Sequence, residues 1–500
     1  MGHPTIYPTG VTIYDPERAW SGYTLFQAAG KGALLIDPNG REVQLWKGLA
    51  GFPNKLLPGG QVLGHTGERE PRFGSQDQLD LVQVDWDGKV VWRYDRFEHI
   101  ADPGVPPRWY ARVHHDYQRQ GNPVGYYVPG QDPLIDRGRT LLLVHENVKD
   151  SRISEHPLLD DTFIEVDWDS RITWRWKPHE HVEELGFDAA ARRVLRRNPN
   201  LLPSDGGGAL GQAKAGPGSV GDWLHINSLS YVGPNRWYDA GDQRFHPDNV
   251  IWDAREANII AITDRASGRV VWRIGPRYDG TPAERELGWI IGQHHAHIIP
   301  RGLPGEGNLL VFDNGGWAGY GAANPGSQLG LKTAKRDFSR VLEIDPITLA
   351  IVWQYTPKEA GFVVPLDAAR FYSPFISSAQ RLPNGNTLIT EGSDGRIIEI
   401  TADHRIVWEY ISPSWRKPPL ALNLVYRAYR YPFAWVPQVP TPVAVPVRRL
   451  DVATFRVPGA AAADGPERSV QIQGLAAQDA DGAFCVTPTA APGVPPLSAS

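Results

Sequence analysis

The 500-residue chain carries a formal net charge of −5, one cysteine, 18 tryptophans, 52 glycines and 44 prolines, and 41% of its residues are hydrophobic. This mild acidity gives no electrostatic case for nucleic acid or an anionic membrane, the lone Cys485 excludes an internal disulfide, and no apolar run approaches the roughly 18–20 residues of a membrane span. The opening Met1-Gly2-His3-Pro4 lacks the basic-then-apolar layout of a secretory signal, so the sequence as it stands implies a cytoplasmic protein, or a periplasmic or secreted one whose signal has been removed.

Taken in order, the chain repeats one pattern six times: a short apolar strand, an Asp/Gly turn and a second strand bearing a tryptophan. The first runs from Leu34-Leu35-Ile36-Asp37 to Trp46 and the second from Leu81-Val82-Gln83-Val84-Asp85 to Trp92. The third runs from Phe163-Ile164-Glu165-Val166-Asp167 to Trp174 and the fourth from Ile259 to Trp272. The last two run from Val341-Leu342-Glu343-Ile344-Asp345 to Trp353 and from Ile397-Ile398-Glu399-Ile400 to Trp408. Each reads as a β-hairpin with a buried tryptophan on the second strand.

Between hairpins lies a second strand pair, for example Asn54 to Leu63, His225 to Ile251, His297 to Leu310 and Ser378 to Ile389. Two such pairs make a four-stranded blade, and the repetition predicts an all-β, six-bladed β-propeller over 1–436 whose chain ends overlap to close the ring. Long insertions separate the strands at 98–133, 177–221, 243–257 and 276–293. The second of these contains a helix candidate at Phe187–Leu195 and a Gly-rich stretch at 205–218. Residues 437–500 are rich in Pro and Ala and read as a C-terminal arm, with a strand pair expected at Val452–Val457 and Val470–Ile472.

In a propeller the first strand of each blade lines the central channel, so the residues that head these strands ring one mouth. Here they are Lys55, His115, His225, His297 and Ser378. His295 shares an alternating face with His297, while His114 and His294 point the other way on ideal strands. Trp223, Asn227, Asn314, Trp317 and Tyr320 are expected close by, making a pocket for a small aromatic substrate, with Arg112 as a candidate cation.

The stretches Gly221-Asp222-Trp223-Leu224-His225-Ile226-Asn227-Ser228, Gln293-His294 with Gly307 to Gly315, and Leu382-Pro383-Asn384-Gly385-Asn386-Thr387-Leu388 resemble the bacterial arylsulfotransferase family. The resemblance covers roughly residues 20–432. It implies a six-bladed propeller that moves a sulfuryl group between phenols without a nucleotide donor or cofactor, through a histidine nucleophile assisted by further histidines and an arginine. His225 matches one family histidine in its own motif, and His294 matches another by sequence, although His295 or His297 could take that role by geometry. Gly316-Trp317-Ala318-Gly319-Tyr320 stands where the family arginine is expected, and Ser377-Ser378 where the nucleophilic histidine is expected. The disulfide and export signal of secreted members are absent from the sequence.

Three readings stay open at this stage. In the first, the protein is a transferase using His115, His225, His295, His297 and Ser378. In the second, His115, His225, His295 and His297 hold a divalent zinc, copper or iron ion in a hydrolase, lyase or oxidoreductase. In the third, it is a binding propeller without catalysis. The sequence does not speak to oligomeric state.

Overall fold

The computed structural model describes residues 8–70, 73–202, 219–322, 330–417 and 422–451 and positions 468, 470 and 473. Strand outweighs helix, 38% to 9%, and the strands form a six-bladed β-propeller. Blade 1 orders Ala428–Tyr431, Tyr23–Ala28, Gly32–Ile36 and Glu42–Lys47 from the axis outward, and blade 2 orders Ala50–Leu57, Gln61–His65, Leu81–Val84 and Val90–Tyr94. Blade 3 contains Val113–Arg119, Thr140–Val148, Leu158–Val166 and Ile172–Trp176; blade 4 contains Ile226–Tyr231, Val250–Ala254, Ile259–Thr263 and Val270–Ile274. Blade 5 contains His294–Ile298, Leu309–Asp313, Arg340–Ile344 and Ile351–Tyr355, and blade 6 contains Ser378–Arg381, Thr387–Glu391, Arg396–Ile400 and Ile406–Ile411.

All six expected hairpins are present, and the reason each forms is local. Asp37 Oδ1 accepts from the Asn39 and Arg41 N–H groups at 2.9 Å, and Asp85, Asp167, Asp264 and Asp345 hold their own turns in the same manner. Blade 6 uses Thr401 Oγ1 instead, which accepts from Arg405 N. A short side-chain acceptor at the start of the turn replaces ladder hydrogen bonds that the bend cannot make.

Each hairpin tryptophan then reaches into the next blade. The indole N–H of Trp46 donates to Asp85 O at 2.9 Å, Trp92 to Trp168 O at 3.0 Å and Trp174 to Arg265 O at 3.2 Å. Trp272 donates to Pro346 O at 2.9 Å, Trp353 to Ala402 O at 3.1 Å and Trp408 to Pro38 O at 2.7 Å, the last closing the circle onto blade 1. Four of the six are buried as expected, but Trp174 and Trp353 remain partly exposed. In those blades the burial falls to Trp176 and Tyr355, two residues further along the same strand face.

Ring closure uses both ends of the propeller. Ala428–Tyr431 pairs with Tyr23–Ala28 as the innermost strand of blade 1, and Gly10–Tyr14 adds a fifth, outermost strand to blade 6. The chain divides into two compact units, Met1–Arg449, which contains every blade, and Leu450–Ser500. Within the first unit, residues 438–447 return across the blades: Gln438 donates to Gly59 O, Asn39 donates to Val443 O, and Val447 bridges Tyr14. The strand pair expected at 452–457 and 470–472, and the Gly-rich stretch at 205–218, lie outside the described residues apart from position 470. The expected short helix is Ala189–Arg197, capped by Asp188 through Ala191 N at 2.8 Å.

One end of the central channel is filled. Residues 121–131 follow the first strand of blade 3 and fold back under the axis, held by Asn122, whose side chain bonds Val124 N, Gly125 N and Tyr126 O. Tyr431 of blade 1 donates to Gly125 O, Tyr231 of blade 4 donates to Pro123 O, and Gln131 donates to Arg301 O in the loop after the first strand of blade 5. A Cβ on Gly125 would meet Lys55 of blade 2 at 2.6 Å, so this position admits only glycine without rearrangement. The start of the same blade 3 strand lies at the opposite end of the channel, about 20 Å away at 3.3 Å per residue.

Trp408 combines full burial, the closing bond to Pro38 and a cation–π contact with Arg430 at 4.3 Å. Trp408→Ala is expected to cost about 3–5 kcal/mol, read as a lowered urea midpoint at unchanged slope. A loss below about 1 kcal/mol would show that the clasp closes without it.

Candidate active site

The first strands of blades 3, 4 and 5 begin irregularly. His115, His225 and His295 take left-handed backbone conformations with φ of 50°, 51° and 57°, at or beside register shifts in the pairing with the second strand. A branched-at-Cα side chain there costs on the order of 1–2 kcal/mol per residue, a strain that clusters at functional sites. The left-handed residue breaks strict alternation in blade 3, where the neighbouring His114 and His115 rings meet with their Nδ1 atoms 2.8 Å apart.

The histidines gather into two pairs. The His115 and His225 ring centroids lie 4.7 Å apart. The His295 and His297 centroids lie 4.5 Å apart. Tyr429 and Tyr126 donate their hydroxyls to Nε2 of His295 at 3.0 Å and of His297 at 2.9 Å, and Tyr126 comes from the segment that fills the channel floor. Burial, the leading cause, pushes His297 down to about 4 and holds His115 and His295 well below the usual imidazole range.

His225 differs from the rest. Its side chain is 16% exposed, and its Nδ1 lies 2.6 Å from Asp222 Oδ2. Asp222 is buried, and its carboxyl is held below the usual range because His225 outweighs the opposing effect of burial. With Nδ1–H donated to the carboxylate, the ring's orientation is set, and Nε2 makes no hydrogen bond among the described residues.

Cations and aromatic rings complete the surroundings. Arg255 donates its backbone N–H to His225 O at 3.1 Å, and its guanidinium pairs with Glu256. Lys332 Nζ meets the other oxygen of Glu256 at 2.7 Å, and its charge also acts on Asp222. Phe52 and Tyr426 stack at 4.1 Å and form an aromatic wall beside His115, with Phe52 at 4.5 Å. Below them Arg427 is fully buried, donating to Asp116 Oδ2 at 2.8 Å and to Asn227 O at 2.6 Å. Burial opposes its charge, and the hydrogen-bonded Asp116 carboxylate favours it.

The other expected site residues are distributed as follows. Ser378 is buried and donates to Thr390 Oγ1 at 3.1 Å. Asn227 donates its side chain to Gln293 O, and Asn314 accepts from His294 Nδ1 at 2.7 Å. His294 Nε2 accepts from Ile376 N, so both its nitrogens are engaged within the fold. Trp223 and Tyr320 pack behind the His225 loop, joined by a bond from the Tyr320 hydroxyl to Trp223 O at 2.6 Å, and Trp223 donates to Asp160. Trp317 is 42% exposed. Arg112 is bound to Asp77, Glu98 and Asn147 behind the channel wall, away from the mouth cations.

Arg427, Asp116, Tyr126, Tyr426 and Tyr429 were not anticipated. Four of them had a legible signal, since Tyr426-Arg427-Ala428-Tyr429-Arg430-Tyr431 alternates like a strand, and Asp116 directly follows His115. Tyr126 lies in an insertion that carries no periodicity.

No helix among the described residues is long and apolar enough to cross a membrane. No curated protein sequence matches the chain. Among solved structures, a Bacteroides caccae protein of unknown function aligns at 10% identity and TM-score 0.38, covering 82% of this chain and 99% of that one. A streptogramin B lyase aligns at 10% identity and TM-score 0.33, covering 86% and 96%, and a periplasmic gluconolactonase of Pseudomonas aeruginosa at 9% and 0.34, covering 81% and 98%. Likenesses this low carry no functional argument. The sequence profile described as arylsulfotransferase (ASST) matches residues 133–409, more than half the chain and including His225, Asp222 and the histidines of blade 5. The protein belongs to the arylsulfotransferase family.

Proposed function

We propose that the protein transfers sulfuryl groups between small phenolic compounds, with His225 as the nucleophile. The observation that supports this reading is the Asp222–His225 pair, which orients the ring through Nδ1 and leaves Nε2 of a partly exposed side chain without a hydrogen bond among the described residues. In the first half of the reaction Nε2 attacks sulfur, an N–S bond forms, and the S–O bond to the donor breaks as the phenolate leaves with its electron pair. Asp222 stabilises the positive charge that develops on the ring. In the second half an acceptor phenol oxygen attacks the same sulfur and the N–S pair returns to Nε2. The acceptor's proton is released to solvent, balancing the one the first phenolate takes up.

The sulfuryl oxygens need a cation, and residues 316–320 supply none. Arg255 and Lys332, which share Glu256 beside His225, are the groups we assign to this task. Phe52 and Tyr426 offer the flat apolar surface that a phenol ring requires. No nucleotide and no cofactor enters this scheme.

Incubation with a nitrophenyl sulfate and a phenol acceptor is expected to give transfer, and donor alone is expected to leave one sulfuryl group on the peptide containing His225. His225→Ala should abolish both, and Asp222→Asn should slow transfer about 10²–10⁴-fold while the protein stays folded. A sulfuryl adduct on a different residue, or transfer surviving in His225→Ala, would overturn the assignment of the nucleophile; absence of transfer from any aryl sulfate would overturn the activity.

Burial makes the fold sensitive to acid at two histidines, His297 of the site and His65 at the end of the second strand of blade 2. His297 and His65 have folded values near 4, both lowered chiefly by burial from 6.5. Above pH 6.5 neither is charged in either state; as pH falls from 6.5 to 4 the unfolded chain takes up protons that the folded chain refuses. Stability should therefore drop by up to about 1.4 kcal/mol per pH unit for each histidine. Urea titrations at several pH values should show this slope, and His297→Gln should flatten it by one histidine's share. An unchanged slope would show that His297 does not contribute.

A further inference from the structure

Behind His115 a second cluster spans three adjacent strands of blade 3. His145 and Asp161 are direct cross-strand partners, and His114 stands on the neighbouring first strand. One ligand atom from each, drawn from the two imidazoles and the carboxylate, lies within 4.8 Å of the other two, and all three side chains are buried. No such group forms from His115, His225, His295 and His297 among the described residues.

The detailed geometry suits an ion better than it suits the side chains alone. The two rings stack with centroids 3.5 Å apart and an angle of 11°, an arrangement that brings both Nε2 atoms to one carboxylate oxygen. Each Nε2 is 3.5 Å from Asp161 Oδ1, too far for a hydrogen bond of normal length. A tetrahedral ion with bonds of about 2.1 Å holds its ligand atoms about 3.4 Å apart. His114 Nε2 and Asp161 Oδ1 are buried and make no hydrogen bond, an expensive state for two polar atoms left without a partner.

The atoms facing away from this point are all engaged. His145 Nδ1 lies 2.6 Å from Asp77 Oδ1, and Asp77 is braced by Arg112 at 2.7 Å and Arg69 at 2.9 Å. His114 Nδ1 lies 2.8 Å from His115 Nδ1, and Asp161 Oδ2 accepts from Ile226 N at 3.1 Å. His145 Nδ1 faces a carboxylate and so donates to it, which suits its Nε2 to a ligand's role, and His114 does the same in the tautomer whose Nδ1–H is donated to His115.

We propose that His114, His145 and Asp161 bind one divalent transition-metal ion, with two imidazoles and one carboxylate as its protein ligands. That set is chemically suited to zinc or iron(II) and leaves one or more coordination positions for water. The ion sits outside the sulfuryl-transfer scheme, and its presence does not depend on that reaction. It would tie the three inner strands of blade 3 together and fix, through His114 and Ile226, the backbone on which His115 and His225 stand.

The test uses the full chain, prepared without a histidine tag and stripped with a chelator, then titrated with Zn²⁺ and separately with Co²⁺. One equivalent should bind, the melting temperature should rise with Zn²⁺, and bound Co²⁺ should give visible absorption of a low-coordinate site with nitrogen and oxygen ligands. Asp161→Asn and His114→Gln should each weaken Zn²⁺ binding about tenfold or more, while His297→Gln should leave it unchanged. If a ligand variant does not fold, the Co²⁺ spectrum and stoichiometry of the unaltered chain still decide. Binding of less than about a tenth of an equivalent, binding retained in a folded His114→Gln, or binding lost in His297→Gln would each overturn the site.

Discussion

The propeller depends on six indole N–H groups. Each blade's outer strand presents one tryptophan to the hairpin turn of the next, and the donation runs from Trp46 round to Trp408, which returns to Pro38. A single bond of this kind contributes about 0.5–1.5 kcal/mol, and the buried ring adds apolar area to it. Its structural effect is larger than its energy. Because every blade is gauged against its neighbour at the same point, the six first strands converge on one axis, and side chains far apart in sequence become neighbours at the channel.

That convergence places rigid strands around the axis but does not aim side chains. Aim comes from the left-handed residues at His115, His225 and His295. A regular strand would send alternate histidines into the blade interior, where an imidazole has no water. The kink spends conformational energy supplied by the surrounding blades, and His115 and His225 meet as a result. Asp222 then sets His225 apart from His115, His295 and His297: burial lowers the basicity of those three, whereas His225 is partly exposed, with one nitrogen oriented and the other without a hydrogen bond among the described residues.

How much of this could be read from residues alone follows from the range of each interaction. The hairpins were legible because turn aspartates and tryptophans recur at short spacing, and both act locally. His225 was legible because Asp222 lies three residues away. The orientation of His114 and His294 was read by strict alternation, and a register shift lies in each of those strands. Arg427 escaped because the first strand of blade 1 is supplied from the opposite end of the propeller, with Ala428 paired to Phe26. His145 carried no signal, since nothing near it in sequence reveals that Asp77 and Asp161 enclose it.

The segment folded beneath the axis makes the channel a cup with one rim. Tyr126 and its neighbours occupy the far end, so in the proposed reaction a molecule that reaches His225 would have to leave on the side from which it came. Traffic through such a space is single file and two-way. A second reactant cannot arrive from behind to displace the first, and it must wait until the first has gone. Any chemistry carried out there on two partners in turn therefore needs the protein itself to keep what passes between them.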